Sequence, residues 1–212
     1  MSFILPKKSK YKNLAGTSCI KNQIYTNLKD IQKQSGGESE VLSVNENFFA
    51  VPWSLVSVLV VHRKNDGQKI LDPATITGHK DLISDTQFSP FKTELLATAS
   101  NDATVKLWNL PQEGLKTKIT QEDLCFIHPK KVNMVKFHPT ASDILLTSSG
   151  DFKTRLWDVN NPKEAFYTDD HHTDTIQSLS WNNDGSAFVS SCKDGVVRII
   201  DPRTGSLLVV RF

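Results

Sequence analysis

Three sets of side chains in this sequence combine the residue types of a nucleophilic hydrolase. Each set has a histidine, then a serine or threonine, then an aspartate along the chain. A histidine oriented by a carboxylate can take the proton of a hydroxyl, whose oxygen then attacks a carbonyl carbon. The sets are His79, Thr98 and Asp102; His128, Thr147 and Asp151; and His172 (or His171), Ser190 and Asp194. Three copies of one catalytic site in a single chain are not expected, so the spacing between the sets has to be explained.

The three sets belong to an internal repeat. The repeated segments are "NDATVKLW" (101–108), "GDFKTRLW" (150–157) and "KDGVVRII" (193–200). In each, the aspartate stands six residues before Trp108, Trp157 or Ile200. A periodicity of roughly 40 to 50 residues is typical of repeat architectures, in which each copy is one supersecondary unit.

Each copy of the repeat predicts short strands joined by tight turns. The first copy gives "SDTQFS", "LLATAS" and "TVKLWNL", and "NDG" (183–185) in the last copy is a strong hairpin signal. Four strands per repeat are typical of a β-propeller blade, and the "LW" with its aspartate resembles the WD repeat. The sequence predicts an all-β, WD-repeat β-propeller with about four blades present, including a degenerate first blade.

The resemblance to WD repeats gives the three sets a structural role. In such repeats a histidine, a hydroxyl, an aspartate and a tryptophan form a hydrogen-bonded network within the blade. We therefore expect no catalytic residue, no enzyme activity, no cofactor and no metal site, "DDHHTD" (169–174) included. Because Ile200 replaces the tryptophan, the last network is expected to be incomplete. The structural network comprises His79, Thr98, Asp102, Trp108, His128, Thr147, Asp151, Trp157, His172, Ser190 and Asp194.

Flanking segments resemble the coronin family. "SKYK" (9–12) and "IKNQIYTNLK" (20–29) are similar to the coronin N-terminal motifs, and "RIIDPR" (198–203) is similar to the sequence that replaces the WD pair in one coronin blade. The second blade, with "FSPF" and "TVKLWNLP", resembles most the long coronins with two propellers in tandem. The resemblance extends from about residue 9 to 205.

The resemblance implies that the chain binds actin filaments and regulates the actin cytoskeleton through a basic propeller surface. The candidate actin-binding residues are Lys29, Lys10 and Lys12, with Lys29 at a position where the family has an arginine. The branched-actin nucleating complex and cofilin are further implied partners. The alternative function is a scaffold or adaptor in Golgi or vesicle trafficking, as in the tandem coronins. Binding of nucleic acid is not expected.

Charge and composition are compatible with this interpretation. The net charge is only +2, but residues 1–33 contain seven lysines and one aspartate, so the remainder is net acidic. A basic segment of this kind either contacts an acidic partner or is a solvated tail. Three cysteines without a C-x-x-C pair fit a reducing compartment. The longest apolar stretch, 48–61, is too short to span a bilayer. We therefore expect a cytoplasmic protein associated with the cytoskeleton.

The predicted organisation is a basic N-terminal segment over 1–43 and a partial propeller over 44–212. The blades are expected at about 44–78, 79–127, 128–170 and 171–212. Coronin propellers have seven blades, so the chain resembles a truncated product or fragment with little activity of its own. The alternative is that a partner, or a second copy of the chain, completes the ring.

Overall fold

A computed structural model describes residues 42–63 and 74–211, and these residues form sixteen strands in four sheets. Each sheet contains four strands that are neighbours in chain order, and each paired strand is antiparallel to the next. Blades 1 to 4 denote these sheets in chain order. The predicted all-β fold of propeller blades is confirmed.

The strands of the first two blades cover the region from Ser43 to Ile127. Blade 1 consists of β1 (Ser43–Val44), β2 (Phe48–Ser54), β3 (Ser57–His62) and β4 (Thr75–Thr77). Blade 2 consists of β5 (Ile83–Phe88), β6 (Leu95–Ser100), β7 (Thr104–Asn109) and β8 (Leu124–Ile127).

The strands of the last two blades cover the region from Val132 to Arg211. Blade 3 consists of β9 (Val132–Phe137), β10 (Ile144–Ser149), β11 (Thr154–Asp158) and β12 (Tyr167–Asp169). Blade 4 consists of β13 (Ile176–Trp181), β14 (Phe188–Cys192), β15 (Val196–Asp201) and β16 (Ser206–Arg211).

The turn between the second and third strands is alike in blades 2, 3 and 4. The residue after the repeat aspartate has a positive φ angle, namely 67° at Ala103, 67° at Phe152 and 78° at Gly195. Glycine adopts this conformation without steric cost, whereas alanine and phenylalanine are strained in it. The pairing of the second and third strands therefore fixes the turn geometry, which is retained at Ala103 and Phe152 although these residues do not favour it.

The core consists of apolar clusters between consecutive blades. Phe48 of blade 1 packs with Phe88 and Trp108 of blade 2, and a second cluster joins Phe126 of blade 2 to Trp157 of blade 3. A third cluster joins blades 3 and 4. Since hydrophobic stabilisation scales with the apolar area removed from water, each blade is stabilised mainly by its neighbours.

The first strand of each blade, called here the inner strand, is hydrogen-bonded to the next inner strand through side chains. Ser43 Oγ of β1 accepts a hydrogen bond from Phe88 N of β5 at 2.9 Å. Asp85 Oδ2 of β5 accepts from Val135 N of β9 at 3.0 Å, and Gln87 Oε1 accepts from Phe137 N. These bonds run in one direction, from a side chain of one blade to the main chain of the next.

A histidine that directly follows inner strand β9 joins blades 3 and 4. The ring of His138 accepts hydrogen bonds from Thr140 N and Ala141 N through Nδ1, and it donates through Nε2 to Gly185 O at 3.0 Å. The ring also packs on Trp181, with 4.5 Å between ring centroids. The loop after β9 is therefore fixed to the β13–β14 turn.

Candidate functional site

The predicted site residues fall into two groups with different outcomes. The candidate actin-binding residues Lys10, Lys12 and Lys29 lie outside the described residues. The predicted network residues are all described, and in blades 2, 3 and 4 the histidine and the aspartate lie near one end of the blade. This end carries the loops that lead into the inner strands and the tight turns that contain the repeat aspartates, and we call it the turn end.

Blade 2 brings its four predicted residues into one hydrogen-bonded chain. Trp108 Nε1 donates to Thr98 Oγ1 at 2.9 Å, and Thr98 Oγ1 lies 2.7 Å from His79 Nε2. His79 Nδ1 lies 2.9 Å from Asp102 Oδ2. Since the carboxylate only accepts, His79 donates through Nδ1 and accepts the threonine hydroxyl proton through Nε2. Every polar atom along this chain is satisfied.

The elements of blade 2 explain this geometry. Thr98 lies on β6 and Trp108 on β7, one residue before the end of that strand, while Asp102 lies in the turn between these strands. Burial favours the neutral form of Asp102, but hydrogen bonds from His79, Thr104 and the main chain of Lys80 outweigh burial. The pKa of Asp102 is therefore well below its usual range, and the carboxylate stays charged.

Blade 3 joins only three of its four predicted residues. His128 Nε2 lies 2.9 Å from Thr147 Oγ1, and Trp157 Nε1 donates to the same hydroxyl at 2.9 Å. Asp151 instead pairs with Arg155 and accepts a hydrogen bond from Ser149. Burial lowers the pKa of His128 to about 4, and the nearby Arg155 acts in the same direction. This histidine is therefore neutral at physiological pH.

Blade 4 uses an arginine to join its histidine and aspartate. His172, rather than His171, lies against the serine, with 3.0 Å between His172 Nε2 and Ser190 Oγ. Arg198 Nη1 donates to His172 Nδ1 at 3.2 Å, and Arg198 Nη2 donates to Asp194 Oδ2 at 2.8 Å. Burial and Arg198 both lower the pKa of His172.

Ile200 and His171 of blade 4 lie outside this chain of hydrogen bonds. Ile200 is 1% exposed and packs in the cluster between blades 3 and 4, where it offers no donor to Ser190. His171 is exposed and hydrogen-bonds the buried Asp169 through Nδ1. The network of blade 4 thus lacks the indole bond that blades 2 and 3 have.

Sequence reasoning missed one position of the network, a buried basic residue four positions after each repeat aspartate. The three residues are Lys106, Arg155 and Arg198, all under 10% exposed. Each lies directly across the sheet from the network hydroxyl, as in the pairs Thr147–Arg155 and Ser190–Arg198. Lys106 Nζ binds Gly78 O and Glu122 rather than the aspartate. The recurrence of lysine or arginine in "TVKLW", "KTRLW" and "VVRII" could have revealed it.

The burial of the hydroxyls is unlike that of a hydrolase nucleophile. Thr98, Thr147 and Ser190 are each 0% exposed. A nucleophile has to reach the carbonyl carbon of a substrate, whereas these hydroxyls lie between strands and are bonded to histidine or tryptophan rings. The arrangement can hold the loop, the turn and two strands of a blade together.

One group among the described residues has the composition of a metal site. Ligand atoms of His172, Cys192 and Asp194 lie within 4.8 Å of one another. The guanidinium of Arg198 binds both His172 and Asp194, so a positive charge already occupies the position between them. A cation would have to displace this arginine, and the donor set does not fit a metal for that reason.

Four exposed lysines lie at the turn end. Lys80, Lys130, Lys131 and Lys193 are exposed, and none of them forms a salt bridge with another described residue. At the opposite end of the blades, Lys92 pairs with Asp143 and Lys116 pairs with Glu113. Exposed carboxylates, Asp81 and Asp170, lie at the turn end as well, so this end carries both charges.

Among the residues that the structure describes, none belongs to a helix with the length and apolarity that crossing a bilayer requires.

Family models match three parts of the chain. A domain of unknown function, DUF1899, matches residues 5–68, and the WD domain, G-beta repeat, matches residues 72–109. The WD40 domain of anaphase-promoting complex subunit 4 matches residues 140–211. These matches agree with the repeat read from the sequence.

Whole-chain comparisons find coronins. Coronin-A of Dictyostelium discoideum is 36% identical over 95% of this chain and 45% of its own length, and Coronin-7 of Rattus norvegicus is 34% identical over 96% and 22%. Coronin-2A of Bos taurus is 30% identical over 95% and 40%. The chain thus spans less than half the length of these relatives.

A solved structure shows the same fold. The crystal structure of the WD40 domain from Toxoplasma gondii coronin has a TM-score of 0.78 and 28% sequence identity, covering 85% of this chain and 47% of that one. Together with the sequence matches over nearly the whole chain, this similarity shows that the chain belongs to the coronin family of WD-repeat proteins.

Proposed function

We propose that this coronin binds actin filaments through exposed lysines and thereby regulates the actin cytoskeleton in the cytoplasm. The observation that carries the proposal is membership of the coronin family, and the exposed lysines Lys80, Lys130, Lys131 and Lys193 at the turn end, which form no salt bridge with any described residue, are its candidate contacts on the blades. Filaments are acidic, so a cationic surface is complementary to them and speeds the encounter. The family implies that Lys29, and with it Lys10 and Lys12, contributes to the same interaction.

The proposal describes a binding protein rather than an enzyme. The buried hydroxyls of the blade networks and the bonds that occupy them support a structural role for the histidines. Contacts with the branched-actin nucleating complex and with cofilin belong to the same proposal, since the family works with both. A function in vesicle trafficking would require trafficking adaptors as partners, and no feature of the described residues favours it over filament binding.

Co-sedimentation of the purified full chain with actin filaments tests the proposal. The experiment compares the wild type with Lys29→Glu and with the double variant Lys130→Glu/Lys131→Glu. Lys163→Glu, an exposed lysine at the opposite end of blade 3, is the matched control. We expect binding that weakens as salt rises, falls by about tenfold in both test variants and is unchanged in the control.

Two results would contradict the proposal. One is a wild-type chain that stays in the supernatant with filaments at low salt, although it stays soluble when centrifuged without actin. The other is equal loss of binding in Lys163→Glu and in the test variants, which would reduce the interaction to non-specific charge attraction.

A further inference from the structure

Three polar side chains lie in a row across the sheet of blade 3, close to its turn end. Thr154 of β11 is paired with Ser148 of β10 on one side and with Asp169 of β12 on the other. Residues directly opposite each other in a sheet point to the same face, with about 5 Å between their Cβ atoms. Leu146 and Leu156, two positions away on β10 and β11, pack in the cluster between blades 3 and 4. The row therefore faces blade 4.

The matching positions of blade 2 carry apolar side chains. They belong to the cluster between blades 2 and 3, they are paired in the same way, and all of them are 0% exposed. These residues are Ala99, Val105 and Phe126. The row of blade 3 is buried to the same extent, since none of its three residues is more than 1% exposed. Blade 3 thus buries oxygen atoms where blade 2 buries hydrocarbon.

The oxygen atoms of this row lack partners among the described residues. None of these residues is hydrogen-bonded to Ser148 Oγ, Thr154 Oγ1 or Asp169 Oδ2. His172 Nε2 approaches Oδ2 only to 3.6 Å, and His171 is bonded to the other carboxylate oxygen, Oδ1. Buried polar atoms in folded proteins are almost always paired, so oxygens of this kind indicate a bound water molecule or ion.

The corresponding place between blades 2 and 3 is filled by larger side chains. Phe126 contacts Trp157 there, with 5.4 Å between ring centroids. Asp169 takes the position of Phe126, and Ile200 takes that of Trp157. Both replacements are smaller, so they leave volume for a small ligand where two aromatic rings meet in the preceding interface.

The charge of Asp169 distinguishes between water and an ion. Its side chain is 0% exposed, and a buried carboxylate is costly unless a cation balances it. Arg198 is already paired with Asp194, and His172 is neutral because burial and Arg198 lower its pKa. A neutral imidazole is sufficient for the hydrogen bond from His171. A cation beside Oδ2 balances the carboxylate, whereas a water molecule does not.

The donor set of the row is suited to an alkali cation. Carboxylate and hydroxyl oxygens are ligands of hard cations, whereas sulfur and imidazole nitrogen suit zinc and copper. Calcium takes about six to eight oxygen ligands, with carboxylates among them, but the row contains a single carboxylate. One negative charge matches a monovalent cation. A hydroxyl has two lone pairs, so Ser148 and Thr154 can each coordinate a cation and still donate a hydrogen.

We propose that Ser148, Thr154 and Asp169 bind a sodium or potassium ion between blades 3 and 4. The ion contacts the two hydroxyl oxygens and Asp169 Oδ2, and it stabilises the interface that an aromatic contact stabilises between blades 2 and 3. The segment "DDHHTD" (169–174) was expected to hold no metal, because two of these three ligands come from other strands and are not visible in it.

Thermal unfolding of the full chain in different chloride salts tests the inference. The salts are those of sodium, potassium and N-methylglucamine at one ionic strength, about 0.15 M, so that screening is constant and only the cation changes. Two variants remove ligands: Asp169→Asn, and Ser148→Ala/Thr154→Val, which copies blade 2. Asp170→Asn, which changes an exposed neighbour, and Thr86→Val, which removes a buried hydroxyl of blade 2, are the matched controls.

We expect sodium or potassium, in place of N-methylglucamine, to raise the Tm of the wild type and of both controls by about 3 °C or more. The rise should be below about 1 °C in both ligand variants. Comparison of the two alkali salts identifies the ion that binds more tightly. Equal Tm values of the wild type in all three salts would overturn the inference and leave water as the ligand. An equal rise in Asp169→Asn and in the wild type would also overturn it, because the ion would then bind elsewhere.

Sodium-23 NMR detects the ion without relying on the stability of a variant. The folded wild type should broaden the sodium line, and added potassium should narrow it again by competition. A line as narrow as in buffer without protein contradicts the inference, as does equal broadening by the folded Ser148→Ala/Thr154→Val variant. The site shares no residue with the candidate filament contacts, so its failure leaves the proposed function untouched.

Discussion

At the scale of single residues, one threonine hydroxyl holds two rings in each of blades 2 and 3. Thr98 receives the indole N–H of Trp108 and gives its proton to His79. All three side chains are buried, so the loss of the hydroxyl leaves two polar groups without a partner. Ser190 holds only His172, because Ile200 offers no donor.

The two hydroxyls should therefore differ in their contribution to stability. We expect Thr98→Val to lower the free energy of unfolding by about 2 to 4 kcal/mol, and Ser190→Ala to lower it by about 1 to 2 kcal/mol. Urea denaturation followed by tryptophan fluorescence measures both. Equal losses in the two variants would show that the indole bond contributes nothing.

The buried His128 makes stability depend on pH. Its pKa is lowered from 6.5 to about 4 in the folded state, first by burial and then by Arg155. Between these values the unfolded chain binds more protons, so stability is complete above pH 6.5 and is lost as pH falls toward 4. At pH 5 the loss attributable to His128 is about 2 kcal/mol. His172 and His138, whose pKa values are also lowered, act in the same direction.

Urea titrations at pH 8 and pH 5 measure this loss. His128→Gln keeps a polar side chain near Thr147 but cannot be protonated, so the difference between the two pH values should shrink by about 2 kcal/mol without disappearing. The same pH difference in variant and wild type would exclude His128 as its source.

At the scale of elements, the contact between blades 3 and 4 depends on a glycine. Gly185 has a φ of +73°, and a Cβ built on it would lie 2.0 Å from Cε1 of His138. Gly205 has a similar φ of +67° but no heavy atom within 4 Å of a Cβ. Substitution of Gly205 therefore introduces main-chain strain alone, whereas substitution of Gly185 introduces the same strain and a steric clash.

Alanine at the two positions should have unequal effects. Gly205→Ala is expected to cost about 1 kcal/mol, the strain of a left-handed alanine. Gly185→Ala adds a clash with the His138 ring and should cost about 3 kcal/mol, with loss of the stacking of His138 on Trp181. Thermal unfolding of both variants gives the comparison. A result in which Gly205→Ala is as destabilising as Gly185→Ala would mean that His138 moves aside freely.

The sequence predicted the strands and turns of the blades better than the contacts between their side chains. Spacing alone identified the repeat, because the aspartate and the tryptophan have to fall on one turn and one strand of each blade. The sequence did not reveal that Asp151 and Asp194 pair with arginines. An arginine side chain is long enough to reach several partners, and which one it binds depends on how the strands pack. The position of Lys29 relative to the blades stays a prediction.

At the scale of the whole molecule, the blades differ in how much of each face is covered. The strands β6 of blade 2 and β10 of blade 3 are buried along almost their entire length. In β15 buried residues alternate with half-buried ones. Local opening should therefore be easier in blade 4.

Hydrogen exchange monitored by NMR tests this difference. After correction for intrinsic rates, the hydrogen-bonded amides of β6 and β10 should exchange at least about tenfold more slowly than those of β15. Uniform protection across the three strands would mean that the blades unfold as a single unit.

The one-way hydrogen bonds between inner strands have a consequence for synthesis on the ribosome. Each acceptor, such as Ser43, Asp85 or Gln87, precedes in the chain the main-chain amide that it binds. When β9 emerges from the exit tunnel, the carboxylate and the amide oxygen that will fix it are already presented by the blade made just before. Blades 1 and 2 thus each present acceptors to the blade that is translated next.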